Sequence, residues 1–320
     1  MFEKISNNLL NWVNNNNPWT NVYGLARTLI AMSTALTLGL NRTEIFFRPG
    51  AGNSDYPNCE NTYSAFCLVS NSYLNLTIIK WIFVILLLII ASGWRPRYTG
   101  IIHWYIAYSL QTAATTIDGG EQVAAVITFM LIPLTLTDNR KWHWYKPNNK
   151  VLDTKSYIYR IIALVTIWAI RIQVAILYLH STIAKLGNSE WINGTAVYYF
   201  LQDHMLGLPN LLLKIILPIL TSKYVAMATW GTMVLQIMLF AALVAPKRHW
   251  KYYLTLALLM HETIAIMLGL ISFSMIMTGV LILYLRPAEE PIKSLYRVKE
   301  IFVPLKLKGV VNEKTSEKIS

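Results

Sequence analysis

Apolar runs of about 20 residues, long enough to cross a hydrocarbon core of ~30 Å, recur along the whole of this chain. Nothing else constrains its fold so strongly. A segment in lipid must satisfy its own backbone hydrogen bonds, so runs of this length imply helices. Of 320 residues 55% are hydrophobic and only 14% charged, which leaves no room for a sizeable soluble domain. The expected fold is an all-α, multi-pass transmembrane helical bundle of about six to eight spans, working within or beside the membrane.

In chain order, Phe2, Ile5, Leu9 and Trp12 recur at helical spacing among polar residues, which fits either an amphipathic helix on the membrane surface or a frayed terminus. Spans are expected at about Val22–Leu40, Leu76–Ala91, Gly100–Thr116, Gln122–Thr137, Tyr157–Leu179 and Tyr224–Ala245. Leu254–Leu285 fits two short spans turning near Gly269–Ser274, or one long tilted helix. LPNLLLKIILPIL is too short to cross and is broken by Pro218, so a re-entrant or interfacial segment is expected there. Three parts follow: an amphipathic segment over 1–20, the membrane domain over 21–286, and a basic tail over 287–320. No continuous apolar h-region precedes the first span, so insertion should begin with that span.

The net charge of +12 sits in short loops between spans, where it reads as a topology signal and not as a nucleic-acid surface. Arg95 and Arg97, the basic residues from Arg140 to Arg160, Lys247, Arg248, Lys251 and the tail all fall on one side if the spans alternate and 207–220 does not cross. That side is expected to be cytoplasmic in a plasma-membrane protein, with both termini there. The other side then holds Cys59 and Cys67, the Asp118–Glu121 turn and the stretch from Tyr178 to Tyr199. A disulfide between the two cysteines fits that placement; two free thiols are the alternative.

Charges inside apolar runs cost about 2.5–3.5 kcal/mol each near the bilayer centre unless paired or hydrated. Arg171 and Glu262 are the central ones, and an interhelical ion pair between them is the plainest expectation. Arg27 can reach the interface or a partner in the bundle. Tyr108 belongs to a polar face of the third span that should look inward. If the fifth span stays helical, Arg171, Tyr178, Thr182 and Lys185 share one face while His180 points away. Two readings of Lys185 remain open on spacing alone: an anchor beside Trp191 at the interface, or a base or nucleophile in a cavity. No metal site is expected.

Ala184-Lys185-Leu186, Glu190-Trp191 and Asn193-Gly194-Thr195-Ala196 together resemble the signature of the HTTM membrane domain, shared with vitamin K-dependent gamma-carboxylase. Arg27, Ser92-Gly93-Trp94-Arg95-Pro96, Gly119-Gly120, and His261 with Phe273 follow in the family's order. The resemblance implies Lys185 as a candidate base acting on a quinone. It also implies a histidine near the start of the fourth span, where this chain has Glu121 or Gln122, a departure that argues against quinone-driven carboxylation. Size, the single cysteine loop and the Asn-rich start resemble more specifically the SdpB-type maturation proteins of the sporulation-delaying toxin system.

That resemblance implies a membrane component that helps make a secreted antimicrobial peptide toxin from an SdpC-type precursor, with a small SdpA-type partner, and the carboxylase likeness implies carboxylase-like chemistry at the extracytoplasmic face. Candidate catalytic groups are Lys185, Glu121, Tyr178 and His261. Tyr108, Asp118, Arg27, Arg171 and Glu262 line the cavity or pair within it, and Trp191, Asn193 and Gly194 belong to the motif. A non-catalytic scaffold or export factor is one rival reading, and a toxin-immunity or signal-relay protein another.

Overall fold

In the computed structural model of the chain, residues 2–49, 56–147, 153–204 and 206–296 are described, and every regular element among them is a helix. The helices are α1 (Phe2–Asn15), α2 (Asn21–Leu40), α3 (Thr43–Phe46), α4 (Tyr73–Ser92), α5 (Pro96–Ala113), α6 (Gly119–Met130), α7 (Ile132–Leu136) and α8 (Thr154–Leu186). After them come α9 (Ser189–Ile192), α10 (Ala196–Leu201), α11 (Asn210–Leu220), α12 (Tyr224–Ala241), α13 (Lys247–Leu268) and α14 (Ile271–Leu285).

Four of these, α2, α4, α8 and α12, are long and apolar enough to cross a membrane, fewer than the six to eight spans expected. The shortfall has physical causes. α5 carries Arg97, His103 and Gln111, and α13 carries Lys247, Arg248, Lys251 and Glu262. The fourth expected span is divided at Leu131, just before Pro133, and α14 has only 15 residues. α11, at 11 residues, measures about 16 Å and is too short to cross. The turn expected near Gly269 is present: Gly269 takes the left-handed φ of +70° that ends α13.

α14 is buried along most of its length and packs against α2, α13, α6 and α8. One apolar core gathers Ala26 and Ile30 of α2, Ile170 and Val174 of α8, and Met277 and Val280 of α14. A second joins α2, α4 and α5 under Phe46, Phe47 and Phe66. The stripe expected on α1 falls mostly on side chains outside those described; the carbonyls of Val13 and Asn14 accept from Arg160 Nη1 of α8 at 3.3 Å each. Residues 297–320 of the expected tail lie outside the described residues.

Hydrogen bonds sort the loops into two ends. At one end Cys59 and Cys67 form the disulfide. Tyr108 stands under that loop, 3.3 Å from Thr62 Oγ1, and Thr115 donates to Phe46 O at 3.0 Å. The polar face of α5 therefore meets the disulfide loop and not a central cavity.

At the basic end the 138–145 loop folds back on the helix ends. Arg140 holds Asp138 through Nε at 2.9 Å and Nη2 at 2.7 Å, and Tyr23 donates its hydroxyl to the same carboxylate. Trp144 donates to Ser92 O at 2.8 Å and Arg97 to Leu136 O at 2.7 Å. His143 is wholly buried where two glycines make room: a Cβ on Gly93 would lie 2.5 Å from its ring, and one on Gly24 2.9 Å. Gly93 must be glycine for a second reason, its φ of +90°.

Burial holds His143 well below the ordinary histidine pKa, reinforced by the charges of Arg27 and Arg140. The unfolded chain therefore binds more protons below pH ~6.5, and stability falls as the pH drops through that value toward the folded pKa. Between pH 7.5 and 5.5 this one group should cost on the order of 1 kcal/mol. In detergent-solubilised protein, melting of His143→Gln should be less sensitive to that acidification than melting of the parent; an equal sensitivity would show that His143 is not the group responsible.

Candidate functional site

The turn between α13 and α14 sets Ser272, Phe273 and Ser274 against the start of α6. Ser33 of α2 donates to Ser272 O at 2.9 Å, and Ser272 Oγ donates to Asp118 Oδ2 at 2.5 Å. Asp118 also caps α6, its Oδ1 accepting from Gly120 N at 2.8 Å. Gly120 has a steric reason: a Cβ there would come within 3.0 Å of Phe273 Cα and 3.1 Å of Ile276 Cδ1.

One residue on, Glu121 is 1% exposed. Its Oε2 accepts from Thr34 Oγ1 at 3.0 Å, and its Oε1 has no protein partner. Glu262 Oε1 accepts from Ser274 Oγ at 3.0 Å. Beside it on α13, His261 places Nε2 3.1 Å from the Tyr178 hydroxyl, with Nδ1 unpartnered and its ring 5.4 Å from that of Phe273. One turn along α8, Thr182 donates to Tyr178 O at 3.0 Å and lies 3.4 Å from Gln236 Oε1 of α12.

Asp118 through Ser272, Glu262 through Ser274 and His261 through Phe273 thus meet the first turn of α14, while Tyr178 joins through His261 and Glu121 follows the glycine that packs on Phe273. Among the described residues no lysine, arginine or histidine forms an ion pair with any of the three carboxyls. The Tyr178 hydroxyl and the His261 imidazole are placed to share one proton, while Glu121 Oε1 is a buried acceptor without a protein donor. No group of three or more metal-ligating side chains occurs among the described residues.

The other expected residues lie elsewhere. Arg171 does not pair with Glu262. Its guanidinium stacks on Trp250 at 4.6 Å and Trp168 at 5.2 Å, and donates to Arg286 O at 3.2 Å. Arg286 and Ser274, the partners of Arg171 and Glu262, are twelve residues apart along α14, or about 18 Å. Arg27 is wholly buried toward the basic end, donating to Thr99 Oγ1 at 2.7 Å, with Nε and Nη1 unpartnered.

Lys185 is half-buried and held by its own surroundings: Nζ donates to Ser181 Oγ at 2.7 Å and lies 5.0 Å from the Trp191 ring centre. It shares a face with Tyr178 but stands seven residues, about 10 Å, beyond it. Gly194, at φ +76°, ends the turn after α9 where a Cβ would meet Ala226 Cβ at 2.7 Å, and Trp230 donates to Ile192 O at 3.2 Å. Asn193 closes the same turn through its backbone, donating to Ser189 O at 2.8 Å. The motif therefore seats α9 and α10 on α12.

Ser33, Thr34, Ser272, Ser274 and Gln236 carry the polar contacts of the site and were not singled out by sequence. Small hydroxyls inside apolar runs look like ordinary packing; the Ser-Phe-Ser run after Gly269 was the one available signal.

No family model matches the chain, so the HTTM likeness rests on its motif residues alone. No solved structure matches it. Among curated proteins, the uncharacterized protein YitO of Bacillus subtilis (strain 168) is 49% identical over 296 residues, 92% of this chain and 94% of that protein. The sporulation-delaying protein SdpB of the same organism is 39% identical over 293 residues, 90% of this chain and 88% of that protein.

With Arg171 and Glu262 at opposite ends of α14, exchanging their charges should bring no rescue. Arg171→Glu combined with Glu262→Arg should melt no higher than Arg171→Glu alone, with a coupling within about 0.5 kcal/mol of zero. Restoration of the parental melting temperature would mean that the two do meet.

Proposed function

We propose, since this chain belongs to the family of the sporulation-delaying protein SdpB, that it is the membrane component that matures an exported antimicrobial peptide toxin from its precursor. It would act with a small SdpA-type partner on an SdpC-type precursor. The observation that carries the reading is the polar group at the first turn of α14, where among the described residues three carboxyls stand without ion pairs and Phe273 meets His261 of the Tyr178–His261 pair. Such a site is suited to moving protons to and from a bound peptide group.

The positive-inside bias assigns the end carrying Arg95, Arg97, Arg140, Lys141, Lys247 and Arg248 to the cytoplasm of a plasma-membrane protein. The cluster and the disulfide then face outward, where an exported peptide arrives and where disulfides persist. A quinone does not suit these residues. Lys185 Nζ is engaged by Ser181 and Trp191, and the position where the carboxylase pattern has histidine is Glu121 or Gln122. No step is assigned to one. The anchored Lys185 and stacked Arg171 favour a scaffolding role for those two residues, while the α14 cluster supplies the chemistry.

The test is toxin activity in culture supernatants from strains making normal amounts of each variant. His261→Gln and Glu121→Gln should each lower it by about a hundredfold or more, as loss of a proton-transfer group does. Lys185→Met should lower it by no more than about fivefold, the scale of a lost cation–π contact. Full activity in both cluster variants would remove the cluster from the chemistry, and a deep loss in Lys185→Met would return Lys185 to it.

A further inference from the structure

Between α8 and α11 the chain builds a second feature that the α14 cluster does not use. α9 and α10 enclose a hollow of about 260 Å³, open on one side. Trp191 and Phe200 meet along it with ring centroids 5.9 Å apart and planes tilted by 52°. Tyr199, Asn188, Glu190 and Asp203 complete the lining. The volume lies just below the ~300–1,000 Å³ of pockets for drug-sized ligands, which suits one long side chain.

The composition of the walls selects the ligand. Tyr199 and Phe200 are 58% and 45% exposed, and aromatic rings at an interface are by themselves an ordinary membrane belt. A belt does not account for two carboxylates among the rings, because acidic groups at that level repel anionic lipid. Aromatic faces and carboxylates together attract a cation. Lys185 is outside the lining: it donates to Ser181 and lies 5.0 Å from the centre of the Trp191 ring. Among the described residues no ion pair engages Glu190, and Asp203 Oδ1 accepts from Leu206 N at 2.9 Å.

We infer that this hollow binds the ammonium or guanidinium group of a lysine or arginine side chain in an exported peptide, and docks that peptide beyond the C-terminal end of α8. That the docked peptide is the one to be matured rests on the function proposed above; the cation binding itself does not. A lipid ammonium such as that of phosphatidylethanolamine fits less well, since the phosphate two carbons away would lie against Glu190 and Asp203.

The full chain in nonionic detergent would be titrated with a capped arginine tripeptide, acetyl-Ala-Arg-Ala-amide, and its citrulline counterpart, followed by saturation-transfer NMR. The arginine peptide should bind saturably and at least about tenfold more tightly than the citrulline peptide, the weight of one charge-assisted contact. Glu190→Gln with Asp203→Asn should abolish that preference, the Asn keeping an acceptor for Leu206 N, and Phe200→Leu should weaken binding about threefold. Parental melting temperatures would show that these variants are folded.

Equal binding of the two peptides, or an unchanged preference in the folded double variant, would overturn the proposal. Displacement of the arginine peptide by phosphoethanolamine at equal concentration would assign the hollow to lipid and overturn it as well. Undiminished toxin production by a double variant that no longer binds the arginine peptide would overturn the docking role while leaving the proposed function untouched.

Discussion

The contact on which the rest of the bundle depends is the close approach of α14 to α2 at Gly279. A Cβ there would lie 2.8 Å from Ala26 O and 3.0 Å from Ile30 Cγ1, so only glycine permits the spacing. Between apolar helices in lipid there is little hydrophobic drive, and association rests on tight packing and on hydrogen bonds between helices. Both are present along this pair. Ser33 meets Ser272 O at one end, while Thr20 donates to Ala288 O at 2.5 Å and Asn21 Nδ2 to Ile292 O at 2.9 Å at the other. Fixed at both ends, α14 cannot slide. Its register in turn decides which residues face Asp118, His261 and Glu262.

From that register follows a separation of charge along the bundle. Arg27, Arg140, Arg160 and Arg171 lie toward the basic end, each held by carbonyls, hydroxyls, aromatic faces or, for Arg140, by Asp138. Asp118, Glu121 and Glu262 lie at the start of α14, held by Ser272, Thr34 and Ser274. Hydroxyl partners satisfy a carboxyl in either protonation state, whereas a cation would fix it as the anion. Among the described residues no cation pairs with the acids at the α14 turn, the feature that the proposed function draws on.

Much of this was legible in the chain. Apolar runs located α2, α4, α8 and α12, and Gly269 marked the turn that became the centre of the site. Asp118, Glu121, Tyr178 and His261 stood out as polar groups inside or beside apolar runs. Two things were not legible. Residue spacing gives the helix face of Arg171 and Glu262 but not their depth relative to a neighbouring helix, so an ion pair was expected where about 18 Å of α14 intervenes. Helical phase likewise joined Lys185 to Tyr178 without saying where its flexible chain ends, and Ser181 and Trp191 hold it outside the cluster. The burial of His143 depends on Gly24 and Gly93 vacating space, a tertiary coincidence with no local signature.

Whether this chain changes an exported peptide covalently, as the proposed function has it, is decided by the intact mass of that peptide from cells with and without the protein. A discrete mass difference, lost again when His261 is replaced by glutamine, is the result that the proposed proton-transfer role predicts. An identical mass in both would contradict it and leave the bundle a scaffold or export factor.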